Sequence, residues 1–194
     1  MTVMDRMNGV DREALFATVK EKPEIGAFQF RLENQWVDGG LNRSRIDGFY
    51  GACTEMRHAQ TFEFVNDEPA VLLSGDQGAN PVEFVLHALA GCLTTSLVYH
   101  AAARGIPVKA VRTRFEGDLD LQGFLGIRPD VRNGYQQVRV AFEIDGDLSD
   151  AQKQELMAMA QARSPVFDIV SHGVPVECRL AETASGGEGA MAAD

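Results

Sequence analysis

The amino-acid sequence predicts an α+β domain in which antiparallel sheets wrap a central pair of helices. Three observations lead to this class. One long stretch carries the start and stop signals of a single, mostly apolar helix, and a second helical segment lies downstream. Segments before and after the long helix alternate between apolar and polar residues with a period of two. Runs of strands separated by helices, without a regular β-α-β order, are typical of α+β domains.

The composition is that of a globular protein with one full hydrophobic core. The chain has 194 residues, 45% hydrophobic and 24% charged, and a net charge of −10. A nucleic-acid partner would require a basic face, so none is expected. No apolar run with a basic flank opens the sequence, so no secretory signal is predicted. The three cysteines, Cys53, Cys92 and Cys178, have no paired spacing, which indicates reduced thiols and a cytoplasmic location.

Residues 80–105 form the central helix of this prediction. Asn80 is suited to cap its start, because its side-chain oxygen can accept from free N–H groups of the first turn. Pro81 falls where a missing N–H costs nothing, and Glu83 completes a capping box. Gly105 supplies the left-handed residue that ends many helices. The helix would be about 36 Å long. Polar residues interrupt its apolar run, so we expect a buried core helix and no membrane partner.

The region before this helix is predicted to contain a short helix and a set of strands. Asp11 to Lys22 is amphipathic and stops before a proline. A tight turn at residues 38–40 predicts a hairpin. The strands expected here are Phe28 to Val37, Leu41 to Tyr50, Thr61 to Asn66 and Ala70 to Ser74. The glycine-containing loop 75–78 leads to the long helix, and no Gly-Lys-Ser/Thr follows it, so it is interpreted as a connection and not as a phosphate site.

The region after the helix is predicted to add strands and the second core helix. Apolar and polar residues alternate in Val108 to Asp118 and in Tyr135 to Asp145, as they do in antiparallel strands with one solvent-exposed face. The apolar residues of the loop between them should be buried. Ser149 to Arg163 begins with a capping box, and a shorter helix runs from Ser164 to Gly173. Val174 to Ala181 is expected to be the last strand, with Cys178 facing inward. The loop residues that should be buried are Phe124, Leu125 and Ile127.

The chain is divided into three parts on this basis. Residues 1–24 form an N-terminal helical extension, residues 25–181 form the main domain, and residues 182–194 are small, acidic and glycine-rich, which predicts a disordered tail.

Cys92 is the candidate reactive residue, because it lies in the middle of the central helix. Glu83 lies nine residues earlier, about 180° around the helix, and His87 lies about 140° away, so neither can touch the sulfur. A reactive thiolate would need a cation from another element. Arg43 and Arg45 are the best donors for that role. The alternative is that Cys92 is only a small buried hydrophobic residue.

The remaining polar residues give no strong site. Cys53 and Cys178 are expected to be structural, and the four histidines have no metal-ligand spacing, so no metal and no cofactor are expected. Ser164, Asp168 and His172 invite comparison with a catalytic triad. They share one short segment, which favours capping and surface pairing, and no nucleophile-elbow motif exists.

Three stretches resemble the family of osmotically inducible protein C and organic hydroperoxide resistance proteins (OsmC/Ohr). They are DEPAVLLSGDQGANPVEFVLHALAGCLTTSL, GFLGIRPDVRNGYQQVRVAFEIDGDLS and RSPVFDIVSHGVPVECRL. The likeness runs in order from about Phe28 to Leu180. It implies an intertwined homodimer in which curved antiparallel sheets pack on the long central helix. It also implies a role in the oxidative stress response as a cysteine peroxidase.

The resemblance assigns roles to individual residues and shows two departures. The cysteine that attacks the hydroperoxide matches Cys92, and an early-hairpin arginine that holds the thiolate matches Arg43 or Arg45. The second cysteine, which forms a disulfide with the first before a dithiol resets the pair, is Ser164 here, and serine cannot form a disulfide. The glutamate of the hydroperoxide-resistance branch falls on Val82.

Two functions of different classes therefore remain open. One is a single-cysteine redox protein in which Cys92 takes the oxygen of an organic hydroperoxide and an external, unidentified thiol reduces it. The other is a non-catalytic dimer, for binding an apolar small molecule or for structure, that kept the fold but lost the two-cysteine chemistry.

Overall fold

Helix α2 (Pro81–Ala103) is the longest element of the fold in the computed structural model, which describes residues 6–181. The other helices are α1 (Arg12–Glu21), α3 (Leu121–Phe124), α4 (Asp150–Arg163) and α5 (Pro165–His172). Two short 3-10 helices span Pro23–Gly26 and Ala70–Leu72. The strands are β1 (Arg6–Met7), β2 (Val10–Asp11), β3 (Gln29–Phe30), β4 (Glu33–Asp38), β5 (Leu41–Gly51), β6 (Thr54–Asn66), β7 (Ala110–Asp118) and β8 (Gln137–Asp145). The predicted α+β class is confirmed.

The ends of α2 are set by the residues that the sequence indicated. The Asn80 side chain accepts from the Val82 N–H at 2.9 Å, and the Glu83 carboxylate accepts from the Asn80 N–H at 2.9 Å. Both halves of the capping box are present, and Pro81 opens the helix. At the other end Gly105 adopts a positive φ of 71°. Local chemistry therefore fixes both limits of the helix on which Cys92 lies.

The hydrophobic core joins α2 to α4 and to the β7–β8 hairpin. Leu93 and Leu97 of α2 are buried against Leu156 and Ala160 of α4, as predicted for the second core helix. Strands β7 and β8 pair antiparallel along their whole length, and their apolar residues face the core while the charged ones face solvent. The capping box that begins α4, between Ser149 and Gln152, is also formed.

Strand β5 is the centre of a second sheet built from the N-terminal half. Strand β6 pairs with one edge of β5, and β3 and β4 follow each other along the opposite edge. The predicted single strand Phe28–Val37 is therefore wrong as one element, because it is interrupted at residues 31–32. The register of β5 shifts between Ile46 and Gly48, so one straight strand cannot pair on both sides of that irregularity. Strand β6 begins at Thr54, well before the predicted Thr61.

A buried carboxylate forms the joint between this sheet and α2. Asp67 follows β6 directly and is fully buried. Its Oδ1 accepts from the Glu68 N–H at 2.8 Å and from the Ser74 hydroxyl, and its Oδ2 accepts from the Gln77 N–H at 3.0 Å. The predicted strand Ala70–Ser74 is wrong, because the chain closes around this carboxylate as a turn with one short 3-10 helix.

Two glycines allow the joint to close tightly. A Cβ on Gly78 would lie 2.3 Å from the Val65 carbonyl oxygen, and a Cβ on Gly40 would lie 2.8 Å from the Ser74 hydroxyl oxygen. The Gly40 N–H also donates to that hydroxyl at 3.2 Å. The β4–β5 turn, the loop and the start of α2 are thus packed against one another, with no room for a side chain at either glycine.

The C-terminal segment and the loop after β7 differ from expectation. Residues 174–181 form no strand, because no strand of the described chain pairs with them. Cys178 is exposed instead of facing inward. The apolar residues of the loop after β7 are also exposed, so their predicted burial is wrong within one chain. The exposed side chains after β7 are Phe124, Leu125 and Ile127, and those of the C-terminal segment are Val174, Val176 and Leu180.

The N-terminal helix is present, and the tail lies outside the described residues. Helix α1 spans Arg12–Glu21, close to the predicted limits. Within residues 6–181, α2 is the single helix that is long and apolar enough to cross a membrane. Since the core helix of a soluble protein passes the same test, its packing on α4 agrees with the predicted core role.

The Asp67→Asn substitution tests the joint through the pH dependence of stability. The Ser74 hydroxyl, followed by the Gln77 N–H, holds the pKa of Asp67 below its ordinary value. Its stabilising effect is therefore present above the unfolded-state pKa of about 3.9 and is lost as pH falls through the folded-state pKa. Urea unfolding should show Asp67→Asn clearly less stable than wild type at neutral pH, with the gap closing in acid. The exposed Asp76→Asn in the same loop is the control. An equal gap at both pH values would contradict this account.

Candidate functional site

Cys92 lies in the middle of α2. Around the helix, it stands at the boundary between the side that the rest of the chain covers and the side that is left uncovered. The covered stripe of α2 consists of Leu89, Leu93, Leu97 and Ala101, all buried. Cys92 is partly buried, about 60° around the helix from Leu89. Its sulfur is therefore neither sealed in the core nor fully open to solvent.

The uncovered side of α2 carries residues spaced alternately by three and four positions. Cys92 is the central member, and its neighbours along this row are more exposed than it is. The row consists of Val85, Ala88, Cys92, Thr95 and Tyr99. Spacing of this kind is that of residues at a helix–helix seam. We call this row the α2 seam.

Polar residues of α2 itself are engaged away from the sulfur. The Glu83 carboxylate is held in the capping box, as expected. His87 is exposed, and its ring lies at the edge of the Phe84 ring, with 6.4 Å between centroids. Burial, followed by the charges of Arg163 and Arg104, lowers the pKa of His100, which favours its neutral form. Within residues 6–181, no base or cation of α2 makes a hydrogen bond to Cys92.

No hydrogen bond joins Arg43 or Arg45 to Cys92 within residues 6–181. Both arginines are exposed on β5, and α2 packs on α4, α5, β7 and α1. Arg45 pairs with Asp47 at 3.7 Å. The Arg43 guanidinium makes no ion pair or side-chain hydrogen bond within residues 6–181. Their role at the thiolate therefore stays a prediction.

Arg45 also lines a surface cleft of about 650 Å³ on the N-terminal sheet. Arg45 and Arg57 both approach Asp47 there, at 3.7 and 3.8 Å, and Arg31 pairs with Glu55. Three arginines and three carboxylates line the cleft, so its net charge is balanced. The arginines of the cleft are thus paired with carboxylates of the same sheet.

Ser164 is buried where α4 ends and α5 begins. Its hydroxyl accepts from the Phe167 N–H at 3.1 Å, so it caps α5 before Pro165 as predicted. Both α4 and α5 pack on α2, so this junction lies beside the helix that carries Cys92. Asp168 and His172 pair with each other on the surface of α5 at 3.1 Å. The triad interpretation, already disfavoured by the sequence, gains nothing, since the Ser164 hydroxyl serves the cap.

The other cysteines lie apart from this region. Cys53 sits in the two-residue β5–β6 turn with a φ of 63°, where it is exposed, and Cys178 is exposed on the segment after α5. Neither is packed in a core, although a structural role was expected for both. Within residues 6–181 no group of three or more potential metal ligands is present.

Two contacts that position α2 were not indicated by the sequence. Asp67 reads as an ordinary turn residue before a proline, and its burial follows only from the closed loop. The Tyr135 hydroxyl donates to the Val82 carbonyl at 2.9 Å and ties the start of β8 to the first turn of α2. Burial, followed by the charge of Glu83, raises the pKa of Tyr135, so this donor keeps its proton. Gly117 makes room, since a Cβ there would lie 2.4 Å from the Tyr135 ring.

Comparison with solved structures shows the fold. The chain is similar to an OsmC-like protein from Mycoplasma pneumoniae (TM-score 0.58, 14% identity, 74% of this chain and 88% of that one). It is also similar to organic hydroperoxide resistance proteins from Elizabethkingia anophelis (TM-score 0.53, 15% identity, 74% and 89% covered) and Legionella pneumophila (TM-score 0.50, 15% identity, 74% and 91% covered). No curated protein sequence matches.

Comparison with protein-family sequence patterns shows the family to which the chain belongs. The pattern described as "OsmC-like protein" matches residues 74–179, which is more than half of the chain and includes both Cys92 and Ser164. The chain therefore belongs to the OsmC-like protein family.

Proposed function

We propose that this protein is a redox protein that reduces organic hydroperoxides through the single cysteine Cys92. Membership of the OsmC-like family suggests redox chemistry or peroxide resistance. The observation that carries the proposal is Cys92 itself, a partly buried thiol at the centre of α2. A peroxide-reducing sulfur must be reachable by substrate yet shielded from bulk water, and neither exposed cysteine combines these properties.

The reaction balances with one hydroperoxide and two external thiols. The Cys92 thiolate attacks the terminal peroxide oxygen, the O–O bond breaks, and the alkoxide takes a proton and leaves as the alcohol. Cys92 is left as a sulfenic acid. The first external thiol forms a mixed disulfide with Cys92 and releases water. The second external thiol then forms the disulfide of the reductant and frees the Cys92 thiolate. A cytoplasmic location belongs to the same proposal, because this cycle needs a supply of reduced thiol.

A second copy of the chain completes the site in this proposal. Most of the α2 seam and several aromatic residues of the N-terminal sheet are exposed in one chain, and contiguous exposed apolar surface of this kind often marks an interface. Phe28, Phe30, Phe49, His58 and Phe62 form a continuous row of rings on that sheet, with neighbouring centroids 5.1–6.1 Å apart. Association of two chains would bury these surfaces, as obligate dimers do.

The arginine that activates Cys92 then comes from the partner. A cysteine with its ordinary pKa is only a few per cent thiolate at pH 7, so a nearby cation is required. Since no cation on α2 bonds to the sulfur, and β5 is not among the main packing partners of α2 within one chain, we assign this role to Arg43 or Arg45 of the second copy.

A non-catalytic dimer is the second candidate, favoured by Ser164. Serine stands where active relatives are expected to carry the second cysteine, and here its hydroxyl serves as a helix cap. In this candidate the region around Cys92 would hold an apolar small molecule and the thiol would only pack.

Peroxide treatment followed by intact mass separates the two candidates. In a Cys53→Ser/Cys178→Ser background, cumene hydroperoxide should add one oxygen atom to the protein, and dimedone should trap the sulfenic acid. The further change Cys92→Ser should abolish both signals. Cys92 chains that stay unmodified while folded would exclude the peroxidase proposal and favour the binding candidate.

The Ser164→Cys substitution tests whether Cys92 and Ser164 are a former catalytic pair. If their Cα atoms lie within about 7 Å, peroxide should produce an intramolecular disulfide, seen as a loss of two hydrogens and reversed by a dithiol. Ser164→Ala is the control, because it removes the same cap without adding a thiol. A Ser164→Cys protein that gains oxygen and never closes the disulfide would contradict the relationship.

A further inference from the structure

We infer that Asp67 is a positioning residue: it sets the angle between the N-terminal sheet (β3–β6) and α2, and so the place at which the arginines of one copy meet Cys92 of the other. The second half of this statement rests on the proposed function. The first half rests on the described chain alone.

The sheet and α2 meet at one small joint. The main packing partners of α2 within residues 6–181 are other helices and β7, and no strand of the sheet is among them. The links of the sheet to α2 lie at residues 64–80. Asn66 bridges to Ala79, the Phe64 ring meets the Phe84 ring edge-on at 6.1 Å between centroids, and the Asn80 side chain donates to the Glu68 carboxylate. A small change at this joint would swing the whole sheet relative to α2.

Asp67 is the buried centre of that joint. Its carboxylate has no cation partner within residues 6–181, and every group that contacts it through a hydrogen bond is a donor. These donors come from both ends of the loop, at Glu68 and at Ser74 to Gln77. The carboxylate therefore closes the loop between β6 and α2.

The arrangement is specific for a carboxylate. An amide of the same shape would turn one acceptor oxygen into an NH₂ group that faces existing donors, so at least one buried N–H or O–H would lose its partner. Ser74 connects Asp67 to the β4–β5 turn. Its hydroxyl donates to Asp67 and accepts from the Gly40 N–H of that turn. That turn begins the strand that carries Arg43 and Arg45.

Joint geometry can be measured without using Cys92. Nitroxide labels at native Cys53, on the hairpin tip of the sheet, and at Gln154→Cys, an exposed position on α4, lie on opposite sides of the joint. The background is Cys92→Ser/Cys178→Ser, and labelled chains are diluted with unlabelled chains so that distances within one chain dominate. Pulsed electron paramagnetic resonance then gives the distribution of sheet-to-helix distances.

We expect Asp67→Asn to broaden or shift this distribution while circular dichroism remains that of the folded protein. Asp76→Asn removes the same charge from the same loop without touching a buried hydrogen bond, and it should leave the distribution unchanged. If Asp67→Asn does not fold, Ser74→Ala removes a single donor and should produce a smaller change of the same kind.

The matching functional readout is the rate at which Cys92 forms sulfenic acid. In Cys92-containing protein, Asp67→Asn should slow this rate and Asp76→Asn should not. An unchanged distance distribution and unchanged Cys92 rate, with only a lower unfolding midpoint, would overturn the inference, since Asp67 would then merely stabilise. If wild-type Cys92 does not react with peroxide, the proposed function fails, and the distance distribution alone decides the role of Asp67.

Discussion

The structure depends on the covering of α2. This helix is apolar on nearly every side, and water is a poor solvent for each of those sides. One chain supplies α4, α5 and the β7–β8 hairpin, which together bury the stripe from Leu89 to Ala101. The α2 seam stays uncovered. The division of one helix into a covered and an uncovered side accounts for the core of one chain and is the reason that we propose a second copy.

Cys92 takes its proposed chemistry from that division. A thiol in the covered stripe would be inert, and a thiol on open surface would react with any oxidant. At the boundary, the proposed reactivity depends on an arginine from the proposed second copy. The N-terminal sheet carries both the aromatic row and the arginines, and the joint at Asp67 determines how this sheet stands relative to α2. The proposed function, the proposed dimer and the joint at Asp67 therefore all depend on the angle between the N-terminal sheet and α2.

Elements defined by local chemistry could be predicted from the sequence. In each case the residues that determine the element lie within a few positions of it. Examples are the caps at Asn80 and Ser149, the glycine that ends α2, and the alternation of β7 and β8. The sequence-based predictions were wrong where the structure of a segment depends on residues far away in the sequence. Residues 174–181 alternate like a strand, but alternation does not provide a neighbouring strand. Residues 70–74 look extended, but the buried Asp67 closes their loop. The position of Cys92 on its helix could be predicted, while the assignment of Arg43 or Arg45 as its activating cation stays a prediction, because it depends on residues far from α2 in the sequence.

The measurement that tests this account most directly is complementation between two defective chains. One chain carries Cys92→Ser with its arginines intact, and the other carries Arg43→Ala/Arg45→Ala with Cys92 intact; both have Cys53→Ser/Cys178→Ser. Each alone should form little sulfenic acid. Co-expressed under different affinity tags and purified as mixed dimers, they should regain rapid oxidation of Cys92 by cumene hydroperoxide, because the arginines of the first chain reach the sulfur of the second. Mixed dimers that remain as slow as the arginine variant would contradict a site shared between two copies.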